Sequence, residues 1–107
     1  MAREIFSNIA NKWALLIING LGERTLRFSE IRAVVEGISH KMLTQTLRSL
    51  ERDGLVHRVV YPVVPPRVDY NLTEAGLVLR TTVNALCTWT RTHVDEIAAA
   101  RERFDAR

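Results

Sequence analysis

The chain has 107 residues, 47% hydrophobic and 25% charged, a mix that excludes global disorder at a length that favours one domain over two. Fifteen Lys and Arg against twelve Asp and Glu leave a formal charge of +3, a mild excess that permits a polyanionic partner without requiring one. Single Cys87 excludes an intrachain disulfide framework and a multi-cysteine zinc site and fits a reducing cytoplasm, while the longest apolar run, Trp13 to Ile18, is too short to span a bilayer and follows no signal-peptide pattern.

Ile5, Ile9, Trp13, Leu16 and Ile17 recur at helical spacing and predict a first helix from about Ile5 to Asn19, stopped by Asn19-Gly20 and Gly22. Thr25 to Phe28 reads as a short strand. Ser29 is placed to cap a second helix, Glu30 to Val35, with Ile31, Val34 and Val35 on its apolar face. Glu36-Gly37-Ile38 breaks the pattern. Ser39 is placed to cap a third helix, about His40 to Asp53, which Gly54 closes. Along it Leu43, Leu47 and Leu50 share a buried face, and Lys41, Gln45, Arg48 and Arg52 share another.

After Gly54 the period changes. Leu55 to Tyr61 is β-branched and aromatic and reads as a strand. Pro62, Pro65 and Pro66 lack ladder donors, so Pro62 to Arg67 reads as a stiff hairpin tip. Val68 to Leu72 alternates apolar and polar and reads as the returning strand. Thr73 is placed to cap a last helical region, Glu74 to about Phe104, striped by Leu79, Val83, Leu86, Val94 and Ile97. Three threonines predict a kink or break between Thr88 and Thr92. No repeat, low-complexity tract or linker interrupts the chain, which reads as a single domain over residues 1–107.

Two helices joined by a glycine turn and followed by a hairpin make an α+β winged helix-turn-helix. A major groove admits one helix, and Lys41, Thr44, Gln45 and Arg48 offer donors to phosphates and base edges. Taken alone, such a face is more often merely solvated; the surrounding order of elements is what favours DNA. Ser39 is a cap whose hydroxyl also lies where a phosphate meets a helix N-terminus. Arg67 at the hairpin tip suits phosphate contact. Arg58 reads as a rim residue paired with an acid, and Arg27 and Arg32 flank the supporting helix. Thirteen of the fifteen cations are Arg, the better bidentate partner for phosphate.

The stretches Arg27 to Ile31, Gly37 to Gln45, Leu50 to Val56 and Pro65 to Gly76, in that order, resemble the HxlR-type transcriptional regulators, winged-helix proteins in the style of MarR-type regulators. The resemblance runs from Lys12-Trp13 to Trp89. It implies a homodimer that binds pseudo-palindromic operator DNA. Two features depart from the pattern. No cysteine precedes Trp13, where many members carry one, and Ala10-Asn11 replaces the usual Gly-Gly. Both argue against a redox-sensing role, although a chain trimmed at its N-terminus would lack the cysteine as well.

Trp13, Trp89, Leu86 and Val94 read as core or dimer interface, with the first and last helices forming the dimer. Cys87, beside Trp89 in a helix, reads as a small buried hydrophobe rather than a sensor thiol. His40, His57 and His93 lie on three elements without metal-ligand or triad spacing, and no glycine-rich phosphate loop occurs. No enzyme, cofactor, metal site or membrane partner is expected; double-stranded DNA is, and the identity of any small-molecule effector is open. The rival reading is a winged helix used for protein–protein assembly, against which Lys41, Arg48 and Arg52 argue.

Overall fold

The computed structural model describes all residues from Met1 to Arg107. Two helices stand where one is predicted: α1 (Ala2–Ile9) and α2 (Lys12–Leu21). Asn11 causes the break. It is extended (φ −63°, ψ 133°), and its side chain accepts a hydrogen bond from the Trp13 amide at 2.9 Å, which starts a new helix. Gly20 lies inside α2, and the stop is Gly22 at φ 56°. The re-phased helix buries Ala14, Ile17, Ile18 and Leu21 and leaves Leu16 exposed. No residue of α1 is buried.

Strand β1 (Leu26–Arg27) leads directly into α3 (Phe28–Val34). This helix starts two residues before the predicted Glu30, so Ser29 is a helical residue and not its cap. The Glu30 carboxylate accepts from the Arg27 amide at 2.9 Å and satisfies that end instead. Ile31 and Val35 face the core, and Val34 is exposed. Gly37, at φ 88°, turns the chain. The cap at Ser39 is as predicted: its Oγ accepts from the Met42 amide at 3.0 Å and opens α4 (His40–Arg52). Leu43, Leu47 and Leu50 are all buried, each contributing roughly 1.5–3 kcal/mol if fully removed from water.

Strands β2 (Val56–Tyr61) and β3 (Arg67–Leu72) form the hairpin, antiparallel, with Tyr61 opposite Arg67 and Val56 opposite Leu72. Arg67 therefore opens a strand, and the tip shrinks to residues 62–66. The sheet order is β1-β3-β2, so β3 is central. Centrality also explains Asp69, the polar member of an alternating run, which is nonetheless buried. Its neighbours in the sheet are Arg27 on β1 and Val59 on β2.

Helix α5 (Glu74–Asp105) is continuous over 32 residues, without the predicted break. The Thr90 and Thr92 hydroxyls donate to the Leu86 and Thr88 carbonyls, both at 2.9 Å, and so are satisfied along the helix without interrupting its backbone ladder. Thr73 caps it, accepting from the Gly76 amide at 3.1 Å. Of the predicted stripe only Val83 is buried; Leu86 and Val94 are exposed. The helix packs on α2 and β3, and the molecule measures 62 × 29 × 23 Å. Ile17, Ile18, Leu21, Ile31 and Leu43 centre the core beneath α4. No helix is long and apolar enough to cross a membrane.

Candidate nucleic-acid interface

The leucine stripe of α4 anchors the helix inward, and this orients the opposite face. Lys41, Gln45 and Arg48 are exposed there, and Thr44 is half-buried. Arg48 pairs with no carboxylate. The Thr44 hydroxyl donates to the His40 carbonyl at 2.9 Å, which leaves its oxygen as an acceptor. Ser39 Oγ accepts from Met42, so its own proton remains to be donated outward. Behind the helix, Arg32 Nε donates to the Ile38 carbonyl at 3.4 Å and braces the turn into α4. The His40 ring tilts against Phe28 with centroids 4.7 Å apart.

Lys41, Thr44, Gln45 and Arg48 thus lie together on one helix. Arg67 is separate, engaged within the hairpin. Its Nε and an Nη donate to the two oxygens of Asp69 at 3.1 and 3.0 Å, and its guanidinium lies 5.2 Å from the Tyr61 ring centroid. Half of the Arg67 side chain stays exposed. The sequence shows the cation but not its grip, because the partner sits at a strand position that reads as outward-facing.

The hydrogen bonds from Arg67 hold the Asp69 carboxyl below the ordinary carboxylate range, and burial works against them. Because the folded value is the lower one, the pair stabilises the fold fully above the unfolded value of roughly 3.9. That stabilisation is lost as pH falls through the folded value. Asp69→Asn is therefore expected to lower the melting temperature at neutral pH, with the deficit shrinking below roughly pH 4. Parallel melts of parent and variant across that range check it; a deficit constant with pH would show that the charge of Asp69 is immaterial.

The sequence also predicts an acid for Arg58, and the structure supplies Glu51. Arg58 Nε lies 3.2 and 3.3 Å from its two oxygens. This pair lines a cleft of about 320 Å³ between α4 and the hairpin, together with Phe28, Leu47 and Tyr70. Neither the cleft nor Tyr70 is legible in the sequence, because it forms between segments far apart in the chain. Cys87 is half-buried and packs against the core, as a small hydrophobe would.

A helix pair with a glycine turn, an exposed cationic second helix and a following hairpin are thus all present. Residues 8–98 match the profile of the HxlR-like helix-turn-helix family. The chain belongs to that family. In HxlR-like terms α3 and α4 are the helix-turn-helix and β2–β3 is the wing, and the chain is a transcriptional regulator with a helix-turn-helix DNA-binding domain. It is 42% identical over 101 residues to YtfH of Escherichia coli, an HTH-type transcriptional regulator, across 94% of this chain and 80% of that one. The solved structure of the regulator ytfH from Salmonella typhimurium superposes with a TM-score of 0.86 at 42% identity, covering 94% of this chain and 90% of that one. The redox regulator HypR in its reduced form gives a TM-score of 0.83 at 36% identity, over 92% and 97% of the two chains. These matches establish the α+β winged helix-turn-helix and a family of transcriptional regulators.

Proposed function

We propose that the chain, acting as a single DNA-binding domain over residues 1–107, is a sequence-specific regulator that binds a pseudo-palindromic operator as a homodimer. The observation that carries this reading is the α4 face, cationic, exposed and free of partners at Arg48, on a helix whose opposite face is locked into the core. Gln45 and Arg48 read base edges in the major groove. Lys41, Thr44 and Ser39 position the helix on phosphates, and Arg67 anchors the wing. The unpaired thiol of Cys87 suits a reducing cytoplasm. Footprinting on the DNA upstream of the protein's own gene and its neighbours tests the whole reading. The expected result is a protected site with two related halves; a footprint without symmetry overturns the operator model.

The dimer uses α1 and α5. Ile5 and Phe6 on α1 and Leu86, Trp89, Val94 and Phe104 on α5 are exposed apolar side chains, more than a small domain ordinarily leaves to water. A second copy related by a two-fold axis covers them and sets the recognition helices roughly 34 Å apart, one DNA turn. Sedimentation at micromolar concentration is expected to give a dimer; a monomer throughout contradicts it.

Arg67 contributes charge rather than sequence information. Removing it alone strands the buried Asp69, so the informative variant is the double substitution Arg67→Ala/Asp69→Ala. Operator and random duplex are expected to weaken by a similar factor, with the slope of log K against log salt falling by about one unit per protomer. Loss of preference at one operator base pair with an unchanged slope would instead mean that Arg67 reads the minor groove.

A further inference from the structure

The cleft between α4 and the wing has an apolar floor of Phe28, Leu47 and half-buried Tyr70. Its rim is charged, with Arg48 free and Arg58 engaged by Glu51. A duplex that takes α4 into its major groove and the wing toward the neighbouring minor groove must pass one sugar–phosphate strand between them. Deoxyribose presents apolar faces and each phosphate an anion, which match such a floor and rim. The protonated Tyr70 phenol offers the track a hydrogen-bond donor, and burial pushes it further above its ordinary range.

Glu51 is the residue that does not fit. A carboxylate beside a phosphate track repels it, and Arg58 is the cation paired with that charge. The pair is loosely made: Arg58 approaches through Nε alone, and both side chains are well exposed, at 45% and 36%. Exposed ion pairs of this kind contribute little to stability, so giving one up costs little. Arg67 is the contrast, held through two nitrogens by a buried carboxylate.

We infer that the cleft seats one DNA strand and that Glu51 competes with its phosphate for Arg58, so that docking exchanges the carboxylate partner for the phosphate. This rests on the DNA-binding reading above. Glu51 thereby acts as a brake on sequence-independent affinity, because every duplex offers the same phosphate.

The test measures binding of the full-length chain to a labelled random-sequence duplex over a range of salt. The variants are Arg58→Ala, Glu51→Gln and the two combined, with melts run alongside to confirm folding. Arg58→Ala is expected to lower the salt slope by about one unit per protomer. Glu51→Gln is expected to tighten binding, and the tightening should vanish in the Arg58→Ala background. An unchanged slope in Arg58→Ala overturns the seat. Equal tightening by Glu51→Gln with and without Arg58 overturns the competition, since Glu51 would then act by repulsion alone. A parent chain that binds no duplex overturns the DNA-binding reading itself and this inference with it.

Discussion

Gly76→Ala is expected to destabilise the fold by about 3 kcal/mol, lowering the melting temperature by on the order of 15 °C. In an unobstructed helix the same change is favourable by roughly 0.5–1 kcal/mol. Here the sign reverses for a steric reason. A Cβ at position 76 would lie 2.2 Å from the Leu55 carbonyl oxygen and 3.2 Å from both the Leu55 carbonyl carbon and Leu72 Cβ. The obstructing oxygen belongs to the backbone and cannot swing aside as a side chain does. It is also fixed, because it accepts the Thr73 amide at 3.1 Å. Gly20→Ala supplies the control. Its new methyl would meet only side chains, Val34 at 3.1 Å and Val35 at 3.7 Å, and the change is expected to stay within about 1 kcal/mol of the parent. Thermal or urea unfolding of the two variants separates the cases; a Gly76→Ala chain as stable as the parent would mean that α5 can shift away from Leu55 and Leu72 without penalty.

Gln45→Ala and Arg48→Ala are expected to weaken operator binding by about 1–3 kcal/mol per lost base-edge pair, which is roughly 5- to 150-fold per half-site. Random duplex should lose far less with Gln45→Ala, which removes no charge, and somewhat more with Arg48→Ala, which removes one. Melting temperatures should hardly move, since both side chains stand off the Leu43, Leu47 and Leu50 stripe. Anisotropy titrations on operator and scrambled duplexes give both affinities. Operator affinities equal to the parent's for both variants would place the reading face elsewhere.

Where the sequence and the structure agree, a local rule decides the outcome. Ser39 and Thr73 are caps because hydroxyls at those positions meet free amides, and the α4 leucines are buried because their spacing leaves them on one face. Disagreements arise where a local signal has a near-equal competitor. Asn11 is tolerable within a helix but better as a cap, so an apparently continuous apolar period hides a break. Ser29 is a plausible cap displaced by its neighbour Glu30, which reaches back to Arg27. The threonines of α5 are weak helix formers whose hydroxyls find partners one turn back.

The site divides along the same line. Lys41, Gln45 and Arg48 are legible because helical period alone puts them on one face. Asp69 is not, because its burial depends on β3 lying between β1 and β2, a pairing across some forty residues that no local pattern carries. The cleft behind Arg48 is hidden for the same reason. It needs α3, α4, β2 and β3 in place before it exists.

The contact at Gly76 makes α5 and the wing one mechanical body. The Leu55 carbonyl that touches Gly76 and accepts from Thr73 belongs to the residue leading into β2, while Leu72, opposite Val56 at the base of the hairpin, closes the other side of the same joint. From that pivot α5 reaches roughly 44 Å to Asp105, at 1.5 Å per residue. Lever arithmetic follows: a tilt of roughly 5° at the root displaces the distal end by roughly 4 Å. In the opposite sense, ångström-scale shifts at the far end arrive at the wing base geared down to small rotations. The angle at which one glycine lets a helix meet a strand thus sets how finely the orientation of the wing can be adjusted from the other end of the molecule.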